Sequence, residues 1–252
     1  MTLDERISDA REASRARILT LDIETQRAVV ETWGLHKQYI SIDHVQTPTR
    51  VLCFAAKWRG NPQMIFRASW RDGNDATYMR MMRKVHSLLD YADMVVTWNG
   101  DRFDLQWVEA EFGRLGLGRP APYKSVDLIK INRRNFGRGN MSLKLDWTAR
   151  MWLKDRKTSH AGVDLWWDIR HGTRAEQRAA EKIMREYNIH DTELTERIFE
   201  EYLPWSKLNL ALYENNDDDL MHCTKCNSTR LTNLEVKPYY TSAFAYRQYR
   251  CK

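Results

Sequence analysis

Apolar positions recur along the chain first at strand spacing and then at helical spacing. The run Arg17-Ile-Leu-Thr-Leu-Asp-Ile-Glu24 is short and apolar with two acids near its end, which predicts a first strand closing near Glu24. From Gln26 to Thr49 no clear period holds, and the stretch contains Gly34 and Pro48. Val51 to Trp58 and Met64 to Ala68 are two apolar runs parted by Arg59-Gly-Asn-Pro62, the pattern of a hairpin. Met79, Met82, Val85, Leu88 and Leu89 then recur at helical spacing between Ala76 and Tyr91, ahead of the β-branched run Met94-Val-Val-Thr-Trp98. A helix over Arg102 to Leu115 should stop at Gly116-Leu-Gly-Arg-Pro120, before an extended segment from Pro122 to Leu128. Strands alternating with helices predict an α/β domain.

Further along, Leu143 to Leu153 reads as helix. Thr173-Arg-Ala-Glu176 is a capping box that opens a long helical pattern running toward Tyr202, and Pro204 closes it. After Leu210 the composition turns acidic over Glu214 to Asp219, and a distinct tail begins at Met221. The expected organisation is a polar helix or arm over 1–16, a main domain over 17–210, an acidic linker over 211–220 and a small module over 221–252. There is no internal repeat.

Composition narrows the class. With 42% apolar and 11% aromatic residues among 252, the chain is too hydrophobic to be disordered. It has no apolar run near the roughly 18 residues of a membrane span, and its first residues alternate charge where a secretory leader would be greasy. Four cysteines are too few for a disulfide scaffold, so a soluble protein of the reducing cytoplasm is expected. The net charge is +6, and between Ser125 and His160 nine basic residues face three acidic ones. That local excess suits a polyanionic partner, although surface helices are often rich in Lys and Arg.

Three acidic motifs carry the candidate chemistry. Asp22 and Glu24 stand at i and i+2 of a strand, so their side chains leave the same face, and two anions that close call for a cation between them. Oxygen donors select a hard divalent ion, Mg²⁺ or Mn²⁺. Asn99-Gly-Asp-Arg-Phe-Asp104 follows the strand at Met94–Trp98 and opens a helix. There Asp101 suits an N-cap, and Asp104 falls in the first helical turn. Tyr187-Asn-Ile-His-Asp191 puts Tyr187 and Asp191 one turn apart on the apolar stripe of Ile183, Leu194 and Ile198, where a carboxylate is costly unless paired or coordinating.

Asp-x-Glu ending a first strand, Asn-x-x-x-Phe-Asp after a later strand and Tyr-x-x-x-Asp on a late helix resemble, in that order, the DEDD superfamily of 3′–5′ exonucleases. The tyrosine-type, DnaQ-like branch is the similar one, as in the proofreading domains of family B DNA polymerases. The histidine-type branch would need His five residues before the last Asp, where this chain has Glu186. The resemblance spans about Arg17 to Tyr202 and includes Val126-Asp-Leu128 and Ser142-Leu-Lys-Leu145. It implies an RNase H-like fold, with a mixed central sheet flanked by helices. The implied activity is metal-dependent hydrolysis of single-stranded DNA, or of frayed 3′ ends, by a stand-alone nuclease. Asp22, Glu24 and Asp191 would hold one Mg²⁺ or Mn²⁺ ion, Asp22 would bridge to a second supported by Asp104, and Tyr187 would orient the attacking water. Other readings are an exoribonuclease, a binding adaptor without turnover and an RNase H-like endonuclease; DNA stands ahead of RNA as the partner. No polymerase or repair partner is identifiable.

Around this core, Asn99, Arg133, Arg134, Arg138 and Lys144 are candidates for nucleic-acid contact, the three arginines being placed in a glycine-bearing loop. Asp127 reads as structural, most tryptophans as core, and Cys53 as core. Cys223-Thr-Lys-Cys226 with Cys251 gives knuckle spacing for Zn²⁺, one ligand short of four, and the tail is read as zinc-ribbon-like; His222 adjoins Cys223 too closely to serve easily. Tyr239, Tyr240, Tyr246, Arg247, Tyr249 and Arg250 could add a grip on nucleic acid. None of the seven histidines forms a convincing metal or triad arrangement, and there is no phosphate loop or nucleophile elbow.

Overall fold

The computed structural model describes residues 16–34, 36, 38–155, 163–213 and 218–252. Residues 1–15 of the arm expected over 1–16, residues 214–217 of the acidic stretch, and Arg156, Lys157 and His160 lie outside the described residues.

In chain order the elements are β1 (Ile18–Gln26), β2 (Val29–Val30), β3 (Val45–Thr47), β4 (Arg50–Trp58), β5 (Met64–Ala68), α1 (Asp75–Tyr91), β6 (Met94–Thr97), α2 (Asp104–Arg114), β7 (Lys124–Asp127), α3 (Leu128–Phe136), α4 (Leu145–Leu153), α5 (Val163–His171) and α6 (Arg174–Tyr202). After them come β8 (Leu231–Asn233), β9 (Tyr239–Tyr240), β10 (Ala245–Tyr246) and β11 (Tyr249–Cys251). The central sheet has the order β5-β4-β1-β6-β7. β1 pairs antiparallel with β4 and parallel with β6, so the sheet is mixed and β1 lies at its middle.

Alternation along β1 sorts its side chains between two layers. Leu19, Leu21 and Ile23 pack with Phe54 and Ala56 of β4 against α1 and α2, through Met82, Val85, Leu89, Val108 and Phe112. On the other side Leu52 and Cys53 meet Leu165 and Ile169 of α5 and Ala180 and Met184 of α6. Each fully buried aliphatic or Phe side chain contributes about 1.5–3 kcal/mol, so these two layers hold the sheet. The α1 helix starts under an Asn74 cap that accepts from Thr77 N at 3.2 Å. The expected capping box opens α6: Glu176 accepts from Thr173 N at 2.7 Å, while Thr173 Oγ1 accepts from Glu176 N at 3.4 Å.

Several local expectations are corrected. The segment over 26–49, which shows no clear period, carries the paired strands β2 and β3. Helix α5 was not anticipated. Asp101 is not a helix cap: its carboxylate takes hydrogen bonds from Ser125 and Lys130, and these outweigh burial to hold it below the usual carboxylate range. Arg133 and Arg134 lie on α3 rather than in a loop, because the helix continues to Phe136; Arg138 sits in the turn after it. The tryptophans edge the core and do not fill it: Trp58 and Trp107 pack against one layer, Trp70 and Trp166 against the other. All ten are half-buried or exposed, and the aromatic packing here is a cluster of Phe136, Trp152 and Tyr202 with ring centroids 4.9–5.3 Å apart. Cys53 is core as expected, fully buried opposite Glu24 in the register, with burial pushing its thiol well up.

Residues Arg17–Tyr202 form one compact unit, and the chain from Leu203 onward belongs to a second. In the second unit β8 pairs with β11 and β9 with β10, giving two small antiparallel ribbons beside the Cys223–Cys226 knuckle. Lys225 in that knuckle donates to the carbonyls of Ser206 and Leu208, the latter at 2.9 Å. No described helix is long and apolar enough to cross a membrane.

Candidate active site

The first carboxylate pair is set by the strand period. Since Leu21 and Ile23 face α1 and α2, Asp22 and Glu24 must face the α6 side. Helix α6 comes close to β1 and β4 there because small Ala55, the register partner of Asp22, leaves room. Thr192 fixes the approach, its hydroxyl lying 3.4 Å from Ala55 O and 2.9 Å from Asn188 O. Seated in this way, α6 brings Asp191 to the strand, and oxygens of Asp22, Glu24 and Asp191 lie within 4.8 Å of one another. Asp191 is 2% exposed, so it is held inside the stripe and not at its solvated edge.

Asp104 arrives from the neighbouring strand. β6 ends at Thr97, and the turn after it passes through Asn99 with φ of +68°, a conformation that Asn tolerates better than most residues. Asn99 N donates to Asp127 Oδ1 at 2.8 Å, and Asp127 also caps α3 by accepting from Ile129 N at 3.1 Å. Gly100 follows because a β-carbon there would meet Thr97 Oγ1 at 2.2 Å. This turn delivers Asp104 to the first residue of α2, where its Oδ1 accepts from Ile23 N at 3.0 Å, between Asp22 and Glu24 in sequence. Asp127 is structural, as expected, and burial raises its carboxyl above the ordinary range.

A cleft of about 390 Å³ gathers these groups, its walls including Asp22, Glu24, Asn99, Asp104, Lys144 and Asp191. Lys144 is exposed at its rim. Tyr187 is one turn before Asp191 and is packed beside Met184, Ala180 and Cys53. Arg138 stands on a different hollow, with Phe136, Asn140 and Trp152, while Arg133 and Arg134 are exposed on α3.

Sequence reasoning missed Asn188. It is fully buried on α6, and its Nδ2 donates to Asp22 Oδ2 at 2.6 Å and to Asp22 O at 3.2 Å. A buried amide on an apolar helix face was the only signal available.

The donor set fits a hard divalent cation. Carboxylate oxygens from three residues within 4.8 Å of one another are the hard donors that Mg²⁺ or Mn²⁺ prefers. In the tail, the sulfurs of Cys223, Cys226 and Cys251 also lie within 4.8 Å of one another, a soft donor set that suits Zn²⁺. His222 does not complete it: its Nε2 contacts Asp218 Oδ1 at 2.7 Å and its Nδ1 contacts Asn227 O at 3.0 Å.

A family model described as the RNase H superfamily matches residues 46–203, more than half of the chain. The chain belongs to the RNase H superfamily. The match takes in Asp104, Tyr187 and Asp191, while Asp22 and Glu24 lie ahead of it on the strand that structure pairs with β4. Among solved structures, this RNase H superfamily chain is similar to the family B DNA polymerase from the hyperthermophilic archaeon Pyrobaculum calidifontis, with a TM-score of 0.53 and 19% identity. That likeness covers 75% of this chain and 25% of the polymerase, and it is a likeness of fold. Comparison with curated proteins gives no match.

Proposed function

We propose that the protein is a metal-dependent 3′–5′ exonuclease of the tyrosine type that hydrolyses phosphodiester bonds of single-stranded DNA or frayed 3′ ends. The observation that carries this reading is the convergence of Asp22, Glu24 and Asp191 within 4.8 Å in a cleft that Asp104 also lines. Asp22, Glu24 and Asp191 would hold one Mg²⁺ or Mn²⁺, with Asp22 and Asp104 holding a second. Bound there, such ions supply charge neutralisation at the phosphate and acidify water. Asp104 is fixed by the backbone of Ile23, and Asn188 orients Asp22, so the carboxylates are aimed before any ligand arrives. Tyr187 would position the attacking water by a hydrogen bond from its hydroxyl. Asn99 and Lys144 at the cleft wall contact the strand, and Arg133, Arg134 and Arg138 add phosphate contacts farther out. Residues 221–252 are a separate module holding one Zn²⁺ through Cys223, Cys226 and Cys251.

The direct test is digestion of 5′-labelled single-stranded DNA and RNA of matched sequence with Mg²⁺ or Mn²⁺. A ladder that shortens from the 3′ end on DNA supports the reading. Preference for RNA would correct the sugar, and binding without cleavage would leave an adaptor. Two variants probe the roles assigned here. Tyr187→Phe should lower turnover about tenfold or more with little change in strand affinity, and equal turnover would remove the water-positioning role. Asn188→Ala should raise the metal concentration for half-maximal activity by roughly 10–100-fold, read from Mn²⁺ titrations; an unchanged half-saturation point would show that Asn188 does not orient Asp22.

A further inference from the structure

Beyond Glu24, β1 runs into a second hollow of about 430 Å³, whose walls include Gln26, Arg27, Trp166, Trp167, Arg170 and His171. Strand period places Gln26 on the same face as Asp22 and Glu24, and its Cα lies about 7 Å along the strand from that of Glu24. One nucleotide of an extended strand spans such a distance. The register slip beside it is taken up on β4, where Glu24 pairs with Cys53 and Thr25 with Val51, so β1 keeps its alternation.

Helix α5 is fastened to this end of β1 in a defined way. Trp166 Nε1 donates to Thr25 O at 3.0 Å, and Arg170 Nη1 donates to Arg27 O at 2.9 Å. Arg170 Nε also donates to Asp72 at 3.1 Å. Trp167 is left 62% exposed, its ring centroid 4.3 Å from that of His171 and tilted to it, which makes an aromatic surface open to a ligand. Two polar atoms of the lining have no hydrogen-bond partner among the described residues: Oε1 of Gln26, a residue only 2% exposed, and Nη2 of Arg170. A buried amide and a guanidinium edge without partners are costly, and a ligand that both donates and accepts hydrogen bonds would satisfy them. The Arg27 guanidinium, 5.4 Å from the Trp166 ring centroid, adds positive charge beside the hollow.

We propose that this hollow binds the base of one of the two 3′-terminal nucleotides of a single strand, stacked on Trp167 and hydrogen-bonded by Gln26 and Arg170. A nucleobase has the required features together: a flat π-face, ring donors and acceptors, and a phosphate tether that reaches the carboxylates. The inference rests on the nuclease reading for the direction of the strand, and its test is arranged to stand without turnover.

The measurement is equilibrium binding of 5′-labelled oligonucleotides to full-length Asp22→Ala protein in Mg²⁺. The oligonucleotides are intact, abasic at the last nucleotide, abasic at the one before it, or abasic ten nucleotides from the end. Stacking contributes enough that one terminal abasic site should weaken binding about tenfold, while the distant one changes nothing. Trp167→Ala, a substitution at an exposed position, should weaken binding of the intact strand by a similar factor. Combined with the sensitive abasic strand, it should cost little more. Gln26→Leu, close in size, should behave in the same direction. If Trp167→Ala weakens intact and abasic strands equally, or if neither terminal abasic site matters, the base pocket is overturned. If that coupling is found but the wild-type chain cleaves nothing, the catalytic reading fails and the pocket stands.

Discussion

Asp22→Ala should lower hydrolysis of single-stranded DNA by roughly a thousandfold, equivalent to about 4 kcal/mol of activation barrier. The size follows from position: Asp22 belongs to the three-carboxylate group, and it is the group that Asn188 holds in place from α6. Charge makes a second expectation possible. Three carboxylates within 4.8 Å repel one another when no cation is bound, so the relief on removing one should offset the lost Asn188 hydrogen bond and leave the melting temperature of the metal-free protein little changed. Mn²⁺ should raise the melting temperature of the wild-type protein, since a ligand that binds only the folded state stabilises it, and should do so far less for the variant. Undiminished hydrolysis would sink the assignment of these residues. A melting temperature that falls sharply in the variant would instead make Asp22 a structural residue.

If the three cysteines hold zinc as proposed, chelation should unfold the tail and leave the main unit folded. The second unit has little to hold it otherwise. Its strands are two or three residues long, and Tyr239, Tyr240, Phe244 and Tyr246 are exposed rather than packed. A module of this size needs a staple, and a structural zinc supplies about 10–16 kcal/mol of apparent binding energy that is also folding energy. Metal analysis should find about one zinc per chain, and Cys226→Ser should lose it. Proteolysis after chelation should then cut within 221–252 while the 17–202 region resists. Finding no zinc, with the tail equally resistant before and after chelation, would make the three cysteines an ordinary surface cluster.

Most of the sheet and its helices could be read from the chain because their signals are periodic. β1, the β4–β5 hairpin, α1 and the Thr173–Glu176 box each follow from apolar spacing or capping chemistry that acts within a few residues. What escaped depends on contacts far apart in sequence. Helix α5 has no clean apolar stripe, because Trp166 and Arg170 face the backbone of β1, with Trp167 open to solvent. Asp101 looked like a cap, yet Ser125 and Lys130, more than twenty residues on, take its carboxylate instead. The site shows the same division. The acidic motifs could be listed from spacing and a family resemblance, whereas Asn188 acquires meaning only when α6 packs across Ala55 and its amide meets Asp22, 166 residues away.

Cys53 turns the core of this fold into its own chemical clock. The thiol is fully buried under α5 and α6 beside the carboxylate strand and pushed well up by that burial, so an alkylating reagent should find neither access nor thiolate until those helices lift from β4. In native conditions the labelling rate of Cys53 therefore counts openings of this helical layer, with no engineered reporter. The same opening would pull Glu24 away from Asp191. Divalent ions that bridge those two residues should slow the clock, and the slowing would measure their grip on the protein without a substrate.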